Sequence, residues 1–550
     1  MRVCQPAAVK QKTLLVLGAA QFLMVLDTAV MNVSISQLVK DFDTTVTTIQ
    51  SAITLYALVM AALMITGGKL GDKWGRKRAF GIGMAVYACG SALTAVSWSV
   101  PTLMLGWSVI EGIGAALVLP ALLALVAENF TGKDRAMAYG VLGGIAGAGV
   151  AVGPIVGGWV TTYLTWRVVF AAEVVIAAGI LLGLRWIGSA ARNEHPPKID
   201  VVGSVLSASG LALVVLGIVQ SSSWGFLRPK DSPVAPFGFS LSVFCVVGGL
   251  ALLYAFSRWE RHREGTGRDP LVRLDLLQVT PLRAGLVTAL SMQLVLMGVF
   301  FANPLYLQVV QGYNAFETGL RMLPVSVMLF VASVGGSRLA GRYSPRTMVR
   351  TGFTTIFVAV IGLLSLIDPD IATVPYMVFL GVLGTGIGLI ASQVGNVTQS
   401  SVDESARSEV GGLQNTASQF GAAVGTALIG AIVIAGLSVS VARIVAQNPE
   451  ISAPVKAQVA TATASGIPFI SSDQVRSDVE KAGVTGSEAD AIVASYEEGQ
   501  LQALKTGLLV AGLVTLGALA LTGPLPTVPL AKADADGGDP DDEPVPSTKD

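Results

Sequence analysis

Three carboxylic acids lie inside long apolar runs in the first part of the chain, namely Asp27, Glu111 and Glu173. A charged acid in hydrocarbon costs about 2.5–3.5 kcal/mol even on insertion scales, so it normally faces a cavity or a partner. No lysine or arginine lies deep in these runs, so burial and mutual repulsion favour the neutral, protonated acids. The chemistry we expect is proton uptake from one side and release to the other. The alternative is a neutral, hydrogen-bonded carboxyl group that only packs helices.

Apolar runs long enough to carry such acids recur along the whole chain. The 550 residues are 52% hydrophobic and 13% charged, whereas a soluble domain carries roughly 25% charged residues. About 20 apolar residues span a hydrocarbon core. Runs of that length lie near 13–36, 50–71, 79–98, 101–127, 137–160, 167–188, 201–221, 236–257, 283–306, 319–339, 348–367, 374–395, 412–436 and 501–523. The sequence predicts an all-α membrane protein with fourteen transmembrane helices.

Lysine and arginine collect in the even-numbered connections between these runs. The connection after the second run holds five of them within 69–78, and those after the eighth and tenth hold clusters within 258–273 and 338–350. The odd-numbered connections carry few. Because positively charged loops stay in the cytoplasm, the pattern predicts that both termini are cytoplasmic.

The runs predict four segments. We expect an N-terminal six-helix bundle at 1–188, a linker with helices 7 and 8 at 189–282, and a C-terminal six-helix bundle at 283–530 with a long outer loop at 437–500. Residues 531–550 form an acidic tail of a composition typical of disorder. An internal repeat aligns Leu70–Lys77 with Leu339–Arg346. Two such halves are the signature of a transporter whose central site lies between them.

The basic run Gly68–Arg78 resembles the G-x-L-x-D-x-x-G-R-K-R motif of the major facilitator superfamily. Glycines permit a tight turn, and an aspartate can meet an arginine or a helix N-terminus. The resemblance implies a conformational latch, formed by Gly68, Asp72, Gly75 and Arg76. The alternative is positive charge that serves topology alone. The second copy of the motif has Gly341 at the position of the acid, so a matching latch in that half is doubtful.

A second run, Gly149–Gly158, resembles the G-x-x-x-G-P-x-x-G-G motif of antiporters in the same superfamily. Glycines give a smooth face for a neighbouring helix, and a proline removes one backbone hydrogen bond and can kink the helix. The motif residues are Gly149, Gly153, Pro154, Gly157 and Gly158. The resemblance implies export, and the alternative is generic close packing of helices.

Four further stretches resemble signatures of the fourteen-helix drug:proton antiporters of bacteria. They are Leu26–Val33, Trp166–Phe170, Pro304–Gln308 with the following Gly312-Tyr313, and Gly411–Thr416. The resemblance implies the major facilitator fold, with two six-helix bundles and an inserted two-helix hairpin. It also implies proton-coupled multidrug efflux by alternating access, in the bacterial inner membrane.

Two departures from that branch affect the mechanism. Where its fourth helix usually shows R-x-x-Q-G, this chain has Ser108 and Glu111, and Glu173 replaces an asparagine of the sixth helix. The usual arginine mechanism therefore cannot be carried over. Our hypothesis is that Asp27 and Glu111, with Glu173, exchange protons against an amphipathic and often cationic substrate.

We expect the substrate cavity to combine apolar walls with scattered polar groups. The candidates are Asn32, Tyr56, Gln293, Asn303, Tyr306, Gln308, Asn415 and Gln419. Tyr306 and Gln308 can equally be interfacial, since tyrosine collects at membrane edges. The partners we expect are small amphipathic substrates, protons and the lipid bilayer, and we expect the chain to act as a monomer.

Several classes of function find no support in the sequence. A phosphate-binding G-x-x-x-x-G-K-[ST] loop is absent, as is a nucleophile–base constellation or a metal-ligand spacing, so we expect no catalysis, no cofactor and no metal site. The formal net charge of zero gives no reason to expect a nucleic-acid partner. Two other hypotheses stay open, namely an exporter or flippase of an endogenous lipid-like metabolite and a transporter-like sensor.

Overall fold

The computed structural model describes residues 7–130, 132–188, 199–230, 232–402 and 407–528. Within these ranges the regular secondary structure is helical, without a strand. The predicted all-α class is confirmed. The acidic tail at 531–550 and the beginning of the predicted linker, 189–198, lie outside the described residues.

Six long helices come first and pack against one another as an N-terminal bundle. They are α1 (Ala7–Val33), α2 (Val46–Trp74), α3 (Arg76–Ala95), α4 (Val100–Asn129), α5 (Gly132–Tyr163) and α6 (Arg167–Gly183). Gly75 makes the break between α2 and α3 with φ of 93°, a left-handed conformation that glycine adopts without steric cost.

A hairpin of two helices and a second set of six long helices follow. The hairpin consists of α7 (Val201–Trp224) and α8 (Leu241–Gly265). The second bundle contains α9 (Thr280–Val310), α10 (Ala315–Leu339), α11 (Pro345–Ser365), α12 (Thr373–Ser400), α13 (Arg407–Gln447) and α14 (Ser487–Ala520). Most of the predicted outer loop is also helical, because α13 and α14 extend into it and the short helices Ala453–Ser465 and Ser472–Lys481 lie between them.

In the described part of the chain, 13 helices are long and apolar enough to cross a membrane. The remaining long helix is α3, which has 20 residues and begins with Arg76, Lys77 and Arg78. These charges lower its hydropathy, although it packs between α4 and α6 inside the bundle. A multi-pass membrane protein is confirmed, and the count of fourteen crossings stays a prediction.

The two ends of the molecule differ in charge. The connections α2–α3, α8–α9 and α10–α11 carry the clusters of lysine and arginine, and we call their end the basic side. The short helices between α13 and α14 lie at the other end, which we call the opposite side.

The two bundles meet along two seams, one between α5 and α10 and the other between α2 and α13. The hairpin lies over the second seam, because α7 packs against both α2 and α13. Val215 and Val219 of α7 are buried there with Leu58 of α2 and Ala423 of α13. The hairpin therefore covers the α2–α13 seam, a position that the sequence analysis left undecided.

Candidate functional site

The three acids of the apolar runs come together inside the N-terminal bundle. Asp27 belongs to α1, Glu111 to α4 and Glu173 to α6. One carboxylate oxygen of each lies within 4.8 Å of those of the other two. All three side chains are fully buried, with 0% exposure. We call Asp27, Glu111 and Glu173 the acid cluster.

The aspartate of the cluster is held by an aromatic pair. The indole nitrogen of Trp107 donates a hydrogen bond of 2.7 Å to Asp27 Oδ1. The Trp107 ring in turn stacks on Tyr56 of α2, with ring centroids 4.7 Å apart and planes 8° from parallel. The stack fixes the direction of the indole N–H, so the donor is already aimed at the carboxylate.

The two glutamates accept hydrogen bonds from hydroxyl groups of α3. Thr94 Oγ1 donates to Glu111 Oε1 at 3.1 Å. Tyr87 and Ser91 both donate to Glu173 Oε2, each at 3.0 Å. All of these donors are neutral, so they satisfy oxygens without neutralising a negative charge.

One oxygen of every acid in the cluster has no hydrogen-bond partner among the described residues. These oxygens are Asp27 Oδ2, Glu111 Oε2 and Glu173 Oε1. A buried acceptor without a donor costs about 1–3 kcal/mol, and more when it is charged. A proton on one carboxyl group supplies a donor for its neighbour. The arrangement is therefore suited to bind and exchange protons.

The local structure of α4 and α3 explains how the acids approach so closely. Residues Met104–Glu111 form a π-helical stretch, a feature that is frequent at functional sites. Gly90 of α3 faces this stretch, and a Cβ atom there would lie 2.5 Å from Glu111 Cγ. Only glycine fits at this position, so Gly90 lets Glu111 lie directly against α3.

Asp27 and Glu111 lie inside the N-terminal bundle and do not line an open cavity between the two bundles, a placement that their depth along the helices did not reveal. Both are fully buried among helices of their own bundle, and the Trp107–Tyr56 stack packs against Asp27. The reason is geometric. A rise of roughly 1.5 Å per residue gives the depth of a residue in a helix but not the direction of its side chain within the bundle.

Three predicted cavity residues are buried in bundle cores, which corrects the prediction for Tyr56, Asn303 and Tyr306. Tyr56 stacks on Trp107 as described. Asn303 Nδ2 donates to the Val299 carbonyl of its own helix at 2.8 Å, and Asn303 Oδ1 accepts from the hydroxyl of Tyr376. Tyr306 donates to the Asp368 carbonyl at 2.8 Å. In this conformation their polar groups bond to other parts of the protein and do not face a cavity.

Asn32 and Gln308 lie toward the opposite side and are buried as well. Gln308 Nε2 donates to the Val33 carbonyl at 2.8 Å, and Gln308 Oε1 accepts from the Ser36 amide at 3.4 Å. These bonds join the second bundle to the end of α1. Asn32 donates to the Thr28 carbonyl of its own helix. The structure corrects the cavity prediction for both, and Gln308 instead helps to seal the bundles together.

Gln293, Asn415 and Gln419 remain the candidates for contact with a substrate. Their helices, α9 and α13, pack against the other bundle or against the core of their own. All three side chains are nevertheless only half-buried. Gln419 Nε2 approaches Met60 Sδ of α2 at 3.3 Å, so it lies at the α2–α13 seam. Half-exposed amides in the middle of membrane helices normally face a cavity rather than lipid.

The glycines of the second motif pack against two neighbouring helices of α5. A Cβ atom at Gly149, Gly153 or Gly157 would collide with α1, at Val25, Ala29 and Val30 respectively. These contacts surround the turn of α1 that carries Asp27.

Gly158 and Pro154 face the other bundle. A Cβ atom at Gly158 would overlap the Ala315 carbonyl of α10, and one at Gly319 of α10 would overlap the Pro154 carbonyl. Near the same seam, the Phe316 amide donates to Thr162 Oγ1 at 3.1 Å. The motif thus joins the helix of Asp27 to the α5–α10 seam through one rigid helix.

The predicted latch residues form a charged group on the basic side. Asp72 accepts two bonds of 3.3 Å from Arg76, and Arg76 also lies 3.4 Å from Glu128 of α4. Gly75 makes the turn, and a Cβ atom at Gly68 would lie at an ordinary contact distance of 3.7 Å from Pro120 of α4. The described contacts of this group lie within the N-terminal bundle. A change of these contacts between conformations stays a prediction.

The sequence analysis missed the donors of the acid cluster. Tyr87, Ser91 and Thr94 recur at intervals of four and three residues, which places them on one face of a helix. A polar stripe inside an apolar run was the signal that could have found them. Trp107 gave no such signal, because tryptophan is common in membrane helices without a polar partner.

We expect Gln308→Ala to loosen the seal on the opposite side, because it removes two hydrogen bonds between the bundles. A net value of about 1 kcal/mol per bond predicts a shift of up to about thirtyfold toward the state open to that side. The measurement is the rate at which Ser36→Cys reacts with a membrane-impermeant maleimide, in a background without the native cysteines.

Gln311→Ala is the matched control, because Gln311 bonds to Tyr306 and to the carbonyls of Asp368 and Pro369 within the second bundle. Equal labelling rates in the two variants would show that Gln308 does not seal the bundles.

Comparison with known protein sequences finds one matching family profile and several relatives. The sequence profile of the Major Facilitator Superfamily matches residues 17–426. A puromycin resistance protein of Streptomyces alboniger is 31% identical over 429 residues, covering 76% of this chain and 81% of that protein. The multidrug efflux pump LfrA of Mycolicibacterium smegmatis is 28% identical over 487 residues, covering 88% of this chain and 93% of the pump.

Solved structures show the same fold. A bacterial homolog of the human lysosomal transporter Spinster, in an inward-facing and unoccupied conformation, superimposes with a TM-score of 0.59 at 14% sequence identity. The match covers 95% of this chain and 98% of that one. A D-xylose–proton symporter has a TM-score of 0.54 at 13% identity, covering 76% and 90% of the two chains.

Proposed function

The chain belongs to the Major Facilitator Superfamily, and from that premise we propose that it exports amphipathic, often cationic small molecules in exchange for protons. Its relatives are drug resistance and export proteins, and drug efflux is the function they support for this chain. The observation that carries proton exchange is the acid cluster, whose three buried carboxyl groups each keep one oxygen free of a donor. We propose the bacterial inner membrane as its location, with the basic side and both termini in the cytoplasm.

The way the bundles meet supports alternating access. The described hydrogen bonds between them lie on the opposite side or near the middle of the helices. Gln308 reaches Val33, Gln50 reaches the Thr426 carbonyl at 2.8 Å, and Ser326 reaches the Val150 carbonyl at 2.8 Å. If the basic side is cytoplasmic, this arrangement corresponds to a state closed to the outside.

Proton movement and substrate movement are coupled through the helices and not through direct contact. Protonation of the acid cluster removes the repulsion among three carboxylates and lets α1, α4 and α6 draw together. Because Gly153 and Gly157 of α5 pack against α1, a shift of α1 is transmitted to α5. Pro154 and Gly158 then carry it to α10. Interfaces of this kind switch between discrete arrangements rather than deform gradually.

Substrate binds, in this proposal, between the bundles near Gln293, Asn415 and Gln419. These side chains are half-buried, and they lie on α9 and α13 of the second bundle. The amides can bond to polar groups of a substrate while neighbouring apolar residues contact its hydrocarbon part. The acid cluster then acts on the conformation that binds substrate and not on the substrate itself.

The experiment that tests the proposal uses the whole chain reconstituted into liposomes. The chain is oriented so that export corresponds to uptake into the vesicle, and ethidium is the substrate. We expect accumulation when the lumen is acidic, and its collapse when nigericin dissipates the pH gradient. Equal ethidium fluxes with and without the gradient would contradict proton exchange. Movement of a fluorescent phospholipid in place of ethidium would favour the lipid-exporter alternative.

A further inference from the structure

We infer that the acid cluster also binds a sodium ion, which takes the place of one proton. This inference deepens the proposed function and rests on it, because it concerns the same carboxyl groups. It names a second coupling ion for a site that the proposal assigns to protons. The observations behind it are the charge of the cluster, the arrangement of its oxygens and its isolation from water.

The charge of the cluster must be balanced locally. Three carboxyl groups are buried together, and the described side chains that bond to them are neutral. The described ion pairs of this bundle that involve lysine or arginine lie near helix ends, as at Lys10, Arg76 and Arg167. Uncompensated charge in a low-dielectric core is strongly unfavourable. Three protons give a neutral cluster, and two protons with one monovalent cation give the same net charge.

Three oxygens of the cluster lie close enough together to be ligands of one cation. One oxygen of each acid lies within 4.8 Å of the other two. Ligand oxygens around an ion of this size lie about 2.4 Å from it, so two of them are at most about 4.8 Å apart. Each acid also keeps one buried oxygen without a hydrogen-bond partner. These unpaired oxygens point to a missing positive charge, which a proton or a metal ion can supply.

The donor set and its surroundings favour a monovalent ion such as sodium over the softer and the divalent metals. All ligands are carboxylate oxygens, which suit hard cations and not the softer zinc or copper. Magnesium keeps several water molecules, and the fully buried side chains of this cluster leave it little access to water. Calcium carries two charges and prefers six to eight ligands. A monovalent ion replaces one proton without changing the net charge, so it can exchange with that proton in each transport cycle.

The test measures binding of radioactive ²²Na⁺ to the purified full-length protein in detergent, by scintillation proximity. We expect saturable binding in choline medium at alkaline pH, with apparent affinity falling up to about tenfold for each unit of acidification, because one proton competes for the site. Glu173→Gln removes one ligand charge, so we expect its affinity to fall at least about tenfold relative to the native chain.

Glu260→Gln is the matched control, because Glu260 of α8 is fully buried and keeps an unpaired oxygen outside the cluster. We expect this variant to bind ²²Na⁺ as the native chain does. Size-exclusion profiles and melting temperatures establish that the variants are folded, and Asp27→Asn provides a second variant of the cluster if Glu173→Gln is not.

Two results would overturn the inference. One is the absence of saturable ²²Na⁺ binding to the native chain, and the other is equal binding to the native chain and both cluster variants. Proton-driven ethidium transport in sodium-free choline medium separates the two claims. If that transport persists while ²²Na⁺ binding is absent, the sodium inference is wrong and the proposed function stands. If transport does not respond to the pH gradient, the proposed function is wrong.

Discussion

Asp27→Asn is expected to lower export driven by a pH gradient by about tenfold or more, and to remove the dependence of ethidium affinity on pH, because binding no longer releases a proton. The asparagine keeps the volume of the side chain and can still accept the hydrogen bond from Trp107. It cannot take up or release a proton. Export therefore loses its coupling step, whereas the binding residues between the bundles are untouched. Vesicle flux measures the first quantity and equilibrium binding of ethidium as a function of pH the second.

The control for this substitution is again Glu260→Gln, which removes a buried carboxyl group at the base of the hairpin. Its carboxylate accepts from the Val272 amide at 3.2 Å, far along the chain from the cluster. We expect its transport to stay close to native. If Asp27→Asn exports as fast as Glu260→Gln under the same gradient, Asp27 is a packing residue, as the alternative interpretation of the sequence holds.

Gly158→Leu is expected to reduce turnover by about tenfold or more, because its side chain would occupy the α5–α10 seam. A Cβ atom alone at Gly158 already overlaps the Ala315 carbonyl and lies 2.9 Å from Phe316 Cα. Backbone atoms cannot move aside as a flexible side chain does. The two bundles then cannot close on the opposite side, so the transporter stays in the other state.

Gly143→Leu is the matched control on the same helix, because a Cβ atom at Gly143 meets no atom within 4 Å. Both variants add the same side chain to α5, so an effect on helix propensity or expression appears in both. Ethidium flux per folded transporter is the measurement. Equal flux in the two variants would show that closure of the α5–α10 seam is not required.

The sequence predicted which residues form the site better than it predicted the direction of their side chains. Asp27, Glu111 and Glu173 stand out because an ionisable residue in an apolar run is costly, and the structure brings all three together. Their direction did not follow, because apolar residues surround these helices on every side. A helix that is apolar all round gives no hydrophobic face from which to infer its orientation.

For the predicted cavity residues, too, the sequence did not reveal which way the side chains point. Tyr306 and Asn303 are polar residues in a membrane helix, which suggested that they line a water-filled cavity. In the structure their partners are Asp368 and Tyr376, which lie far along the chain. Such pairings depend on which helices become neighbours, and a single sequence does not contain that information. Gln293 and Gln419, by contrast, remain half-exposed, as a residue facing a cavity should.

The glycine motif shows where pattern and structure agree most closely. The spacing of Gly149, Gly153 and Gly157 predicted a smooth helix face, and the structure places α1 against it. The sequence could not reveal that Gly158 faces a different helix, α10. This second contact gives α5 its place between the acid cluster and the seam.

The proposed exchange of substrate for protons requires that a proton leaves the acid cluster when substrate binds. It is tested most directly by adding ethidium to the purified protein in weakly buffered detergent solution and recording the pH with an indicator dye. We expect stoichiometric proton release from the native chain and from Glu260→Gln, and none from Asp27→Asn. Equal proton release from Asp27→Asn and the native chain would contradict the account.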